Sequence, residues 1–367
     1  MVNELDIDEL KKIRGFNVIN DYISKIGTGK GTMVIFGAGH VGIGLANIIK
    51  KNYYIKIVIC DSNYDKYKNK VDFPIISIEQ LKMNYANSSI IIASLSYYDE
   101  ILELLSQNGL KDNVIGKSNT AYLYYLYNDY WNIINEKFSL FTKVYDNLSD
   151  QHSKKIFVER IKYCLTGNEK YLLPYKCNNV QYFDEEIISL KSEEIFIDGG
   201  AFTGDTIESF LKQVDGNFKK IYSFEPEKSK NEEFLKRLAG IKNIRLLPYG
   251  LWNKKELVSF MSNNSAASKI EKNGNSSIEV TSIDEFLQGK EVTFIKMDIE
   301  GAELEALKGA ENTIKRYKPK LAICVYHKPM DIVNIPIYLK SIVPEYNIYL
   351  RHYSYGPLDT VCYAVYE

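Results

Sequence analysis

Two acidic residues stand at the ends of predicted strands, at positions that suit a nucleoside ligand. The first strand, Ile195 to Ile197, runs into Asp198, a glycine-rich turn and an amphipathic helix. The second, Ile221 to Phe224, ends on Glu225, 27 residues after Asp198. A glycine turn that opens a helix offers free backbone N–H groups to a polar ligand. An acid at the end of the next strand accepts both hydroxyls of a ribose.

The glycine spacing of this turn departs from the dinucleotide pattern. Phe202 stands where the middle glycine of G-x-G-x-x-G lets a pyrophosphate approach the backbone. This departure favours an adenosyl ligand without a pyrophosphate, and S-adenosylmethionine is the obvious candidate.

A third group of polar residues follows two later strands. The predicted strand Val292 to Met297 ends at Asp298 and Glu300, and the strand Leu321 to Tyr326 ends on His327. Ligand-binding groups of open α/β sheets gather at the carboxyl ends of strands. A hydroxyl acceptor of a methyl group needs a base within hydrogen-bond reach, and His327 is the best-placed candidate.

Two roles remain open for Asp298 and Glu300, which an extended backbone would point to one face. They bind acceptor hydroxyls and the cofactor amine, or they ligate a divalent cation together with His327 or Asp331. The first role is favoured because no dense cluster of oxygen ligands is visible in the sequence. Glu303, one step into the following helix, is either catalytic or a carboxylate stabilised by the helix dipole.

The sequence of the second half of the chain predicts alternating strands and helices, with one helix from Glu303 to Tyr317. Two successive strands, Tyr346 to Leu350 and Thr360 to Tyr366, close the sequence without a helix between them. This ending is typical of the seven-stranded methyltransferase sheet.

From Gln181 to the C-terminus the chain resembles the FkbM family of S-adenosylmethionine-dependent methyltransferases. The matching pieces are the turn Asp198 to Thr206, the corner Phe224-Glu225-Pro226, and the specific motif Ile295-Lys296-Met297-Asp298-Ile299-Glu300-Gly301-Ala302-Glu303. The resemblance implies O-methylation of a small polyol, typically a sugar of a surface polysaccharide, glycolipid or secondary metabolite.

The candidate site residues follow from these patterns. The methionine end of the cofactor is expected at the glycine turn, the ribose at Glu225, and the adenine at the loop after the third strand. The candidate cofactor-binding residues are Asp198, Gly199, Gly200, Ala201, Thr203, Gly204, Asp205, Glu225, Pro226, Gly250, Leu251 and Trp252. The candidate catalytic residues are His327, Asp298 and Glu300.

Residues 1–118 predict a smaller parallel Rossmann-like domain. A strand from Thr32 to Phe36 precedes a G-x-G-x-x-G turn and a helix, and the next strand ends on an acid. Such nucleotide-fold domains are found on some sugar-modifying enzymes. The turn either binds a nucleotide or sugar nucleotide, or keeps its glycines for tight helix–strand packing. The candidate residues are Gly37, Gly39, Gly42 and Asp61.

The fold class expected is therefore α/β, with a C-terminal seven-stranded Rossmann-like sheet at 181–367 and the smaller domain joined to it by a helical linker. That linker, residues 119–180, carries apolar side chains at helical spacing. They include Tyr122, Leu123, Leu126, Tyr130, Ile133, Ile134, Ile156, Val158, Ile161 and Leu165.

Bulk composition excludes several classes of function. The chain has 46 basic and 47 acidic residues, a net charge of −1, which gives no global attraction to nucleic acid. Apolar runs are no longer than strands, and the first twelve residues contain no signal-peptide pattern. Five scattered cysteines indicate buried thiols in a reducing compartment. We expect a cytoplasmic protein that takes a sugar or sugar-nucleotide acceptor, and a homo-oligomer is compatible with the sequence.

Two other functions are open on the sequence alone. One is a nicotinamide-dependent sugar oxidoreductase or epimerase, which the absence of a Tyr-x-x-x-Lys pair on a helix of the first domain weakens. The other is a non-catalytic module that binds sugar nucleotides. The intact set of Asp198, Glu225 and Asp298 argues against a decayed methyltransferase half.

Overall fold

The computed structural model of the chain describes residues 5–14, 23, 31–67, 71–94, 97–115, 130–261, 269–270, 276–354, 356 and 358–366. These residues form two compact units. The N-terminal unit holds the described residues of 4–138 and 158–174, and the C-terminal unit holds those of 139–157 and 175–367.

A four-stranded parallel sheet forms the centre of the N-terminal unit. Its strands are β1 (Thr32–Phe36), β2 (Lys56–Cys60), β3 (Ile75–Ile76) and β4 (Ser89–Ile92), in the order β3-β2-β1-β4. Almost every residue of β1, β2 and β4 is buried, as expected of parallel strands covered on both faces. The predicted strand around Val114 is a single bridge to Ile90.

Short helices connect these strands. They are α1 (Ile7–Ile13), α2 (His40–Asn52), α3 (Tyr64–Tyr67), α4 (Ile78–Asn84) and α5 (Tyr98–Gln107). A 3-10 turn follows at Lys111–Asn113. The sequence predicts a leading helix from Leu5 to Ile26, and its part beyond residue 14 lies outside the described residues except for Ile23.

Two longer helices, α6 (Tyr130–Asn147) and α7 (Gln151–Thr166), follow, and 3-10 turns lie at Glu169–Tyr171 and Leu173–Tyr175. The helical interpretation of the apolar stripe is confirmed from Tyr130 onward, while Tyr122, Leu123 and Leu126 lie outside the described residues. The backbone of α6 is non-helical at Lys137, next to the boundary between the units.

The C-terminal unit is built on a seven-stranded mixed sheet, which confirms the predicted α/β class. The strands of this unit are β5 (Ile195–Gly199), β6 (Lys220–Phe224), β7 (Ile244–Leu247), β8 (Gly250–Leu251), β9 (Glu256–Met261), β10 (Lys269–Ile270), β11 (Ser276–Thr281), β12 (Phe294–Met297), β13 (Lys320–Cys324), β14 (Asn347–His352) and β15 (Thr360–Val365). The main sheet has the order β14-β15-β13-β12-β5-β6-β7, and β15 runs antiparallel to both neighbours. A smaller sheet has the order β10-β9-β11-β8.

The helices of this unit are α8 (Asp205–Gln213), α9 (Lys228–Arg237), α10 (Ile283–Leu287), α11 (Glu303–Lys308), α12 (Glu311–Tyr317) and α13 (Asp331–Ile342). The single helix predicted from Glu303 to Tyr317 is wrong, because the chain breaks at Gly309. The carbonyl of Gly309 accepts the N–H of Asp284, and a Cβ on Gly309 would lie 2.1 Å from the Trp252 carbonyl oxygen. The close approach of the loop at Trp252 requires glycine at position 309 and ends the helix.

An aromatic cluster fixes β5 against its neighbours. Phe196 stacks on Phe294 of β12 with ring centroids 4.8 Å apart, and Phe210 of α8 lies 4.7 Å away. Phe183 packs edge-on against Phe294 at 5.8 Å. These rings hold the segment around residue 183 and the ends of β5 and β12 as one packed group.

In the described part of the chain, no helix combines the length and apolar character needed to cross a bilayer.

Candidate functional site

The glycine turn after β5 brings the ends of β5 and β12 into direct contact. Gly200 has φ +74°, and a Cβ placed there would lie 1.9 Å from the Asp298 carbonyl oxygen. Gly204, at φ +88°, then directs the chain into α8. Both positions need glycine, because a side chain at Gly200 would collide and L-residues avoid this backbone region.

A cavity of about 330 Å³ opens at this edge of the sheet. Its polar lining includes Gln181, Asp205, Thr206, Glu225, Glu227, Lys296, Asp298, Glu300 and Asp359. Its other lining residues include Tyr182, Phe202, Phe224, Leu251, Phe260, Ile278 and Ile299. The cavity therefore has an apolar side and several converging polar groups, as ligand pockets usually do.

Backbone strain is concentrated in the wall of this cavity. Four lining residues other than glycine have positive φ: Tyr182 (+70°), Phe202 (+46°), Glu300 (+55°) and Asp359 (+60°). Each such conformation costs on the order of 1 kcal/mol, and residues of this kind cluster at functional sites. The turn at Glu300 also corrects the expectation that Asp298 and Glu300 lie on an extended backbone.

Glu225 is already engaged by two backbone donors. Its Oε2 accepts the N–H of Phe202 at 3.0 Å, and its Oε1 accepts the N–H of Glu227 at 2.8 Å. Burial raises the pKa of Glu225 to about 7, although these two hydrogen bonds oppose the shift. The carboxylate thereby ties the glycine turn to the end of β6 and faces the cavity.

Asp198 and Lys296 form a buried ion pair, with Lys296 Nζ 3.0 Å from Asp198 Oδ1. The same ammonium donates to the carbonyl oxygens of Gly199 and Gly200, at 3.1 and 2.8 Å. Burial opposes its charge, but Asp198 and Asp298 outweigh burial and raise the pKa of Lys296. Asp198 is fully buried behind Lys296, so Lys296 faces the cavity in its place. Sequence reasoning missed Lys296, although a lysine inside an apolar strand was a visible signal.

Asp298 accepts hydrogen bonds from two tyrosines. Tyr182 Oη donates to Oδ2 at 2.8 Å, and Tyr326 Oη donates to Oδ1 at 3.0 Å. Burial opposes ionisation, but nearby His327, Lys296 and the two hydroxyls lower the pKa of Asp298. Neither tyrosine was among the candidate residues. Tyr182 lies 116 positions from Asp298 in sequence, and only the fold brings them together.

His327 lies among three carboxylates. Its Nδ1 is 2.9 Å from Glu303 Oε1, and its Nε2 is 3.4 Å from Asp298 Oδ1 and 3.7 Å from Glu300 Oε2. Burial opposes a charged imidazole, but these carboxylates outweigh it and raise the pKa of His327 to about 10. The imidazole therefore holds a proton at neutral pH unless another cation takes its place. Asp331 instead accepts the N–H of Lys328 at the start of α13.

The structure gathers most of the candidate residues around one cavity. Those that line it are Gly200, Asp205, Glu225, Pro226, Gly250, Leu251, Asp298 and Glu300. Those that lie outside its described lining are Asp198, Gly199, Ala201, Thr203, Gly204, Trp252 and His327. Phe260 and Ile278, from β9 and β11, were not predicted and extend the apolar side next to Leu251.

The candidate residues of the N-terminal unit form a separate glycine turn. Asp61 Oδ2 accepts the N–H of Ala38 at 2.7 Å, and Oδ1 accepts the N–H of Asn63 at 2.8 Å. A Cβ on Gly42 would lie 1.8 Å from the Gly37 carbonyl oxygen, whereas Gly39 has open space. Asp61 thus repeats the backbone contacts of Glu225, and Gly42 serves close helix–strand packing.

Comparison with known proteins identifies the C-terminal unit. Residues 198–355 match the family model described as the methyltransferase FkbM domain. The solved structure of methyltransferase FkbM from Methylobacillus flagellatus KT has a TM-score of 0.64 and 23% identity, covering 98% of this chain and 96% of that chain. At this identity the likeness shows the fold alone. No curated protein matches the chain.

Two further solved structures resemble about half of the chain more weakly. An rRNA methylase from Streptococcus thermophilus has a TM-score of 0.33 and 18% identity, covering 48% of this chain and 90% of its own. A fibrillarin from Aeropyrum pernix, in complex with natively bound S-adenosyl-L-methionine, has a TM-score of 0.32 and 14% identity. The match covers 49% of this chain and 70% of that chain. These two likenesses are too low to carry a conclusion. The match to the methyltransferase FkbM domain spans residues 198–355, less than half of the chain, and supports a methyltransferase.

Proposed function

We propose that this chain is an S-adenosylmethionine-dependent O-methyltransferase that acts on a hydroxyl of a sugar or small polyol. The observation that carries the proposal is one cavity shared by two groups of residues. Glu225 and the glycine turn line it together with Asp298 and Glu300, all inside the methyltransferase domain. A donor and an acceptor can therefore meet in a single cavity, which is the main requirement of methyl transfer.

The proposed cofactor position follows from the chemistry of the lining. Glu225 accepts the ribose hydroxyls, as an acid at the end of the second strand does in related folds. The apolar side chains of Leu251, Phe260 and Ile278 suit an adenine ring. The methionine end then lies toward Gly200 and Asp205, where backbone N–H groups and a carboxylate are available for its charged groups.

The proposed acceptor position lies at the polar end of the cavity. Gln181 donates to Asp359 at 3.3 Å, and both residues line the cavity with Tyr182, Asp298 and Glu300. A set of amide, carboxylate and phenol groups matches several hydroxyls of one acceptor. This composition is what supports a sugar or polyol rather than an apolar acceptor.

The reaction is an in-line displacement. The acceptor oxygen attacks the methyl carbon, a C–O bond forms as the C–S bond breaks, and the electron pair stays on sulfur to give S-adenosylhomocysteine. The proton of the acceptor hydroxyl leaves to a carboxylate of the cluster that Asp298 and Glu300 form with His327. These side chains also orient the hydroxyl toward the methyl group.

The test is methyl transfer by the full chain from S-adenosylmethionine to a panel of neutral sugars, polyols and sugar nucleotides. Mass spectrometry should find a singly methylated product and an equal amount of S-adenosylhomocysteine. Transfer confined to nitrogen or carbon acceptors would overturn the O-methyl assignment.

The same assay tests the role of the polar cluster. His327→Ala should lower kcat by at least about 100-fold while the KM for S-adenosylmethionine changes little, because the cluster acts on the acceptor. His152→Ala, on the exposed side of α7, is the matched control and should keep full activity. An unchanged kcat for His327→Ala would remove this residue from the mechanism.

A further inference from the structure

The contacts of His327 differ on its two sides. On the Nδ1 side, Glu303 Oε1 lies 2.9 Å away, and Glu303 is fully buried at the start of α11. The same oxygen accepts the N–H of Ile299 at 2.9 Å, which fixes the carboxylate in place. With a cation in place of the proton on Nε2, a carboxylate beside Nδ1 favours the tautomer that leaves the Nε2 lone pair to the cation.

On the Nε2 side, two carboxylate oxygens lie at distances that exceed a good hydrogen bond. Asp298 Oδ1 is 3.4 Å and Glu300 Oε2 is 3.7 Å from Nε2. Two ligands of one cation, each about 2.0 to 2.3 Å from it, are separated by roughly 3.0 to 3.7 Å. Each of these two spacings therefore suits a pair of ligands on one cation, and Asp298 and His327 also belong, with Glu303, to a group whose ligand atoms lie within 4.8 Å of one another.

A buried nitrogen without a hydrogen bond is the second observation. The His327 side chain is only 8% exposed, and neither of its ring nitrogens makes a well-aligned hydrogen bond among the described residues, although Glu303 Oε1 lies 2.9 Å from Nδ1. Glu303 Oε2, also buried, has no donor there either. Buried polar atoms without partners are costly, so those at an otherwise well-bonded site indicate a missing ligand.

We propose that Asp298, Glu300 and His327 Nε2 bind a divalent transition-metal cation, with Glu303 holding the imidazole from the Nδ1 side. A ligand set of one imidazole and two carboxylates favours Mn²⁺ or Zn²⁺ over the oxygen-seeking Ca²⁺ and Mg²⁺. The two carboxylates supply the negative charge of this ligand set, and the buried imidazole supplies its selectivity for Mn²⁺ or Zn²⁺.

This proposal deepens the proposed function and rests on it for its role in catalysis. A divalent cation next to the acceptor lowers the pKa of a hydroxyl bound to it. The hydroxyl proton would then leave to a carboxylate of the same cluster as the oxygen attacks the methyl carbon. The His327 imidazole serves as a ligand in this arrangement, and no further base is required.

The first test is a calorimetric titration of the metal-free full chain with Mn²⁺, followed by Zn²⁺, Mg²⁺ and Ca²⁺. One Mn²⁺ or Zn²⁺ should bind per chain, at least tenfold more tightly than Mg²⁺ or Ca²⁺. His327→Gln should abolish this binding. Absence of Mn²⁺ and Zn²⁺ binding, or binding that His327→Gln leaves unchanged, would overturn the site.

The role of Glu303 is tested separately, because it acts through the imidazole. Glu303→Gln should weaken Mn²⁺ binding by about 10- to 100-fold, as carboxylates behind ligating histidines do elsewhere. Glu305→Gln, two positions along the same helix and bonded to Lys308, is the matched control and should bind Mn²⁺ as the parent does. Equal affinities for the two variants would remove Glu303 from the site.

A variant that fails to fold is recognised by loss of its circular-dichroism melting transition. If His327→Gln or Glu303→Gln fails to fold, Glu300→Gln is titrated in its place, since 32% of the Glu300 side chain is exposed and its replacement disturbs the packing less. Glu300→Gln should weaken Mn²⁺ binding by at least tenfold, and unchanged binding would contradict the site. Titration of the metal-free chain with S-adenosylhomocysteine separates the two proposals, because cofactor binding without metal binding would remove the cation site alone.

Discussion

At the scale of single residues, Glu225 links the fold to the proposed cofactor site. Its two oxygens accept N–H groups from the glycine turn and from the start of the next helix. Carboxylate oxygens have further lone pairs, so the same group can also accept two ribose hydroxyls. The residue therefore both shapes the turn and faces the ligand.

Glu225→Gln should weaken binding of S-adenosylhomocysteine by about 10- to 100-fold, because hydrogen bonds to a charged acceptor are worth about 1.5 to 3 kcal/mol. Glutamine keeps an acceptor for only one of the two backbone N–H groups, so the melting temperature should fall, and the titration is run well below it. Glu232→Gln, on the exposed face of α9, removes the same charge and should bind normally. If the two variants bind S-adenosylhomocysteine equally well, the ribose is not at Glu225.

Cofactor affinity should also depend on pH. Burial raises the pKa of Glu225 to about 7, so the carboxylate that accepts the hydroxyls is lost as the pH falls through 7. Affinity for S-adenosylhomocysteine should fall by about tenfold between pH 8 and pH 6. Titrations of the parent and of Glu225→Gln across this range provide the check. A flat profile for the parent, or the same slope in the variant, would contradict the assignment.

At the scale of elements, the site depends on the contact between the turn after β5 and the end of β12. Gly200→Ala should destabilise the chain by about 3 kcal/mol or more, because the added Cβ meets the Asp298 carbonyl in a strained backbone region. Gly216→Ala is the matched control, with nearly the same φ (+73°) but open space, and should cost only about 1 kcal/mol. Urea unfolding of both variants measures the difference, and equal losses would show that the contact is not tight.

The sequence predicted those elements whose pattern is local. Strands such as β5, β6 and β12 were predicted within a residue or two, because apolar runs ending in glycine or acid mark their carboxyl ends. The break at Gly309 was not predicted, since it depends on the approach of Trp252 from a distant loop. Tyr182 and Tyr326 were missed for the same reason, because their hydroxyls gain a role only when the fold places them on Asp298.

The ion pairs of the site were the feature that the sequence predicted least well. The sequence placed His327 near Asp298 and Glu300, but it did not indicate that Glu303 would turn inward to contact the imidazole. Asp198 was expected to touch the cofactor, and its buried pairing with Lys296 was not expected. Burial and pairing are set by the whole packing arrangement, and no residue spacing reveals them.

At the scale of the whole molecule, each of the two units contains an acidic residue with a similar pair of backbone hydrogen bonds. Asp61 and Glu225 each accept one N–H from a glycine turn and one from two residues further along the chain. The family match, the cavity and the strained backbone all belong to the C-terminal unit. We therefore expect S-adenosylmethionine to bind in the C-terminal unit.

The most direct test is calorimetric titration of the full chain and of Gly39→Ala with S-adenosylhomocysteine. A Cβ at Gly39 meets no neighbour, so this change should obstruct a nucleotide at the N-terminal turn without disturbing the fold. We expect one molecule bound per chain, with the same affinity in Gly39→Ala and a much weaker one in Glu225→Gln. Absence of binding to the parent, or binding that Gly39→Ala abolishes and Glu225→Gln leaves intact, would contradict the account.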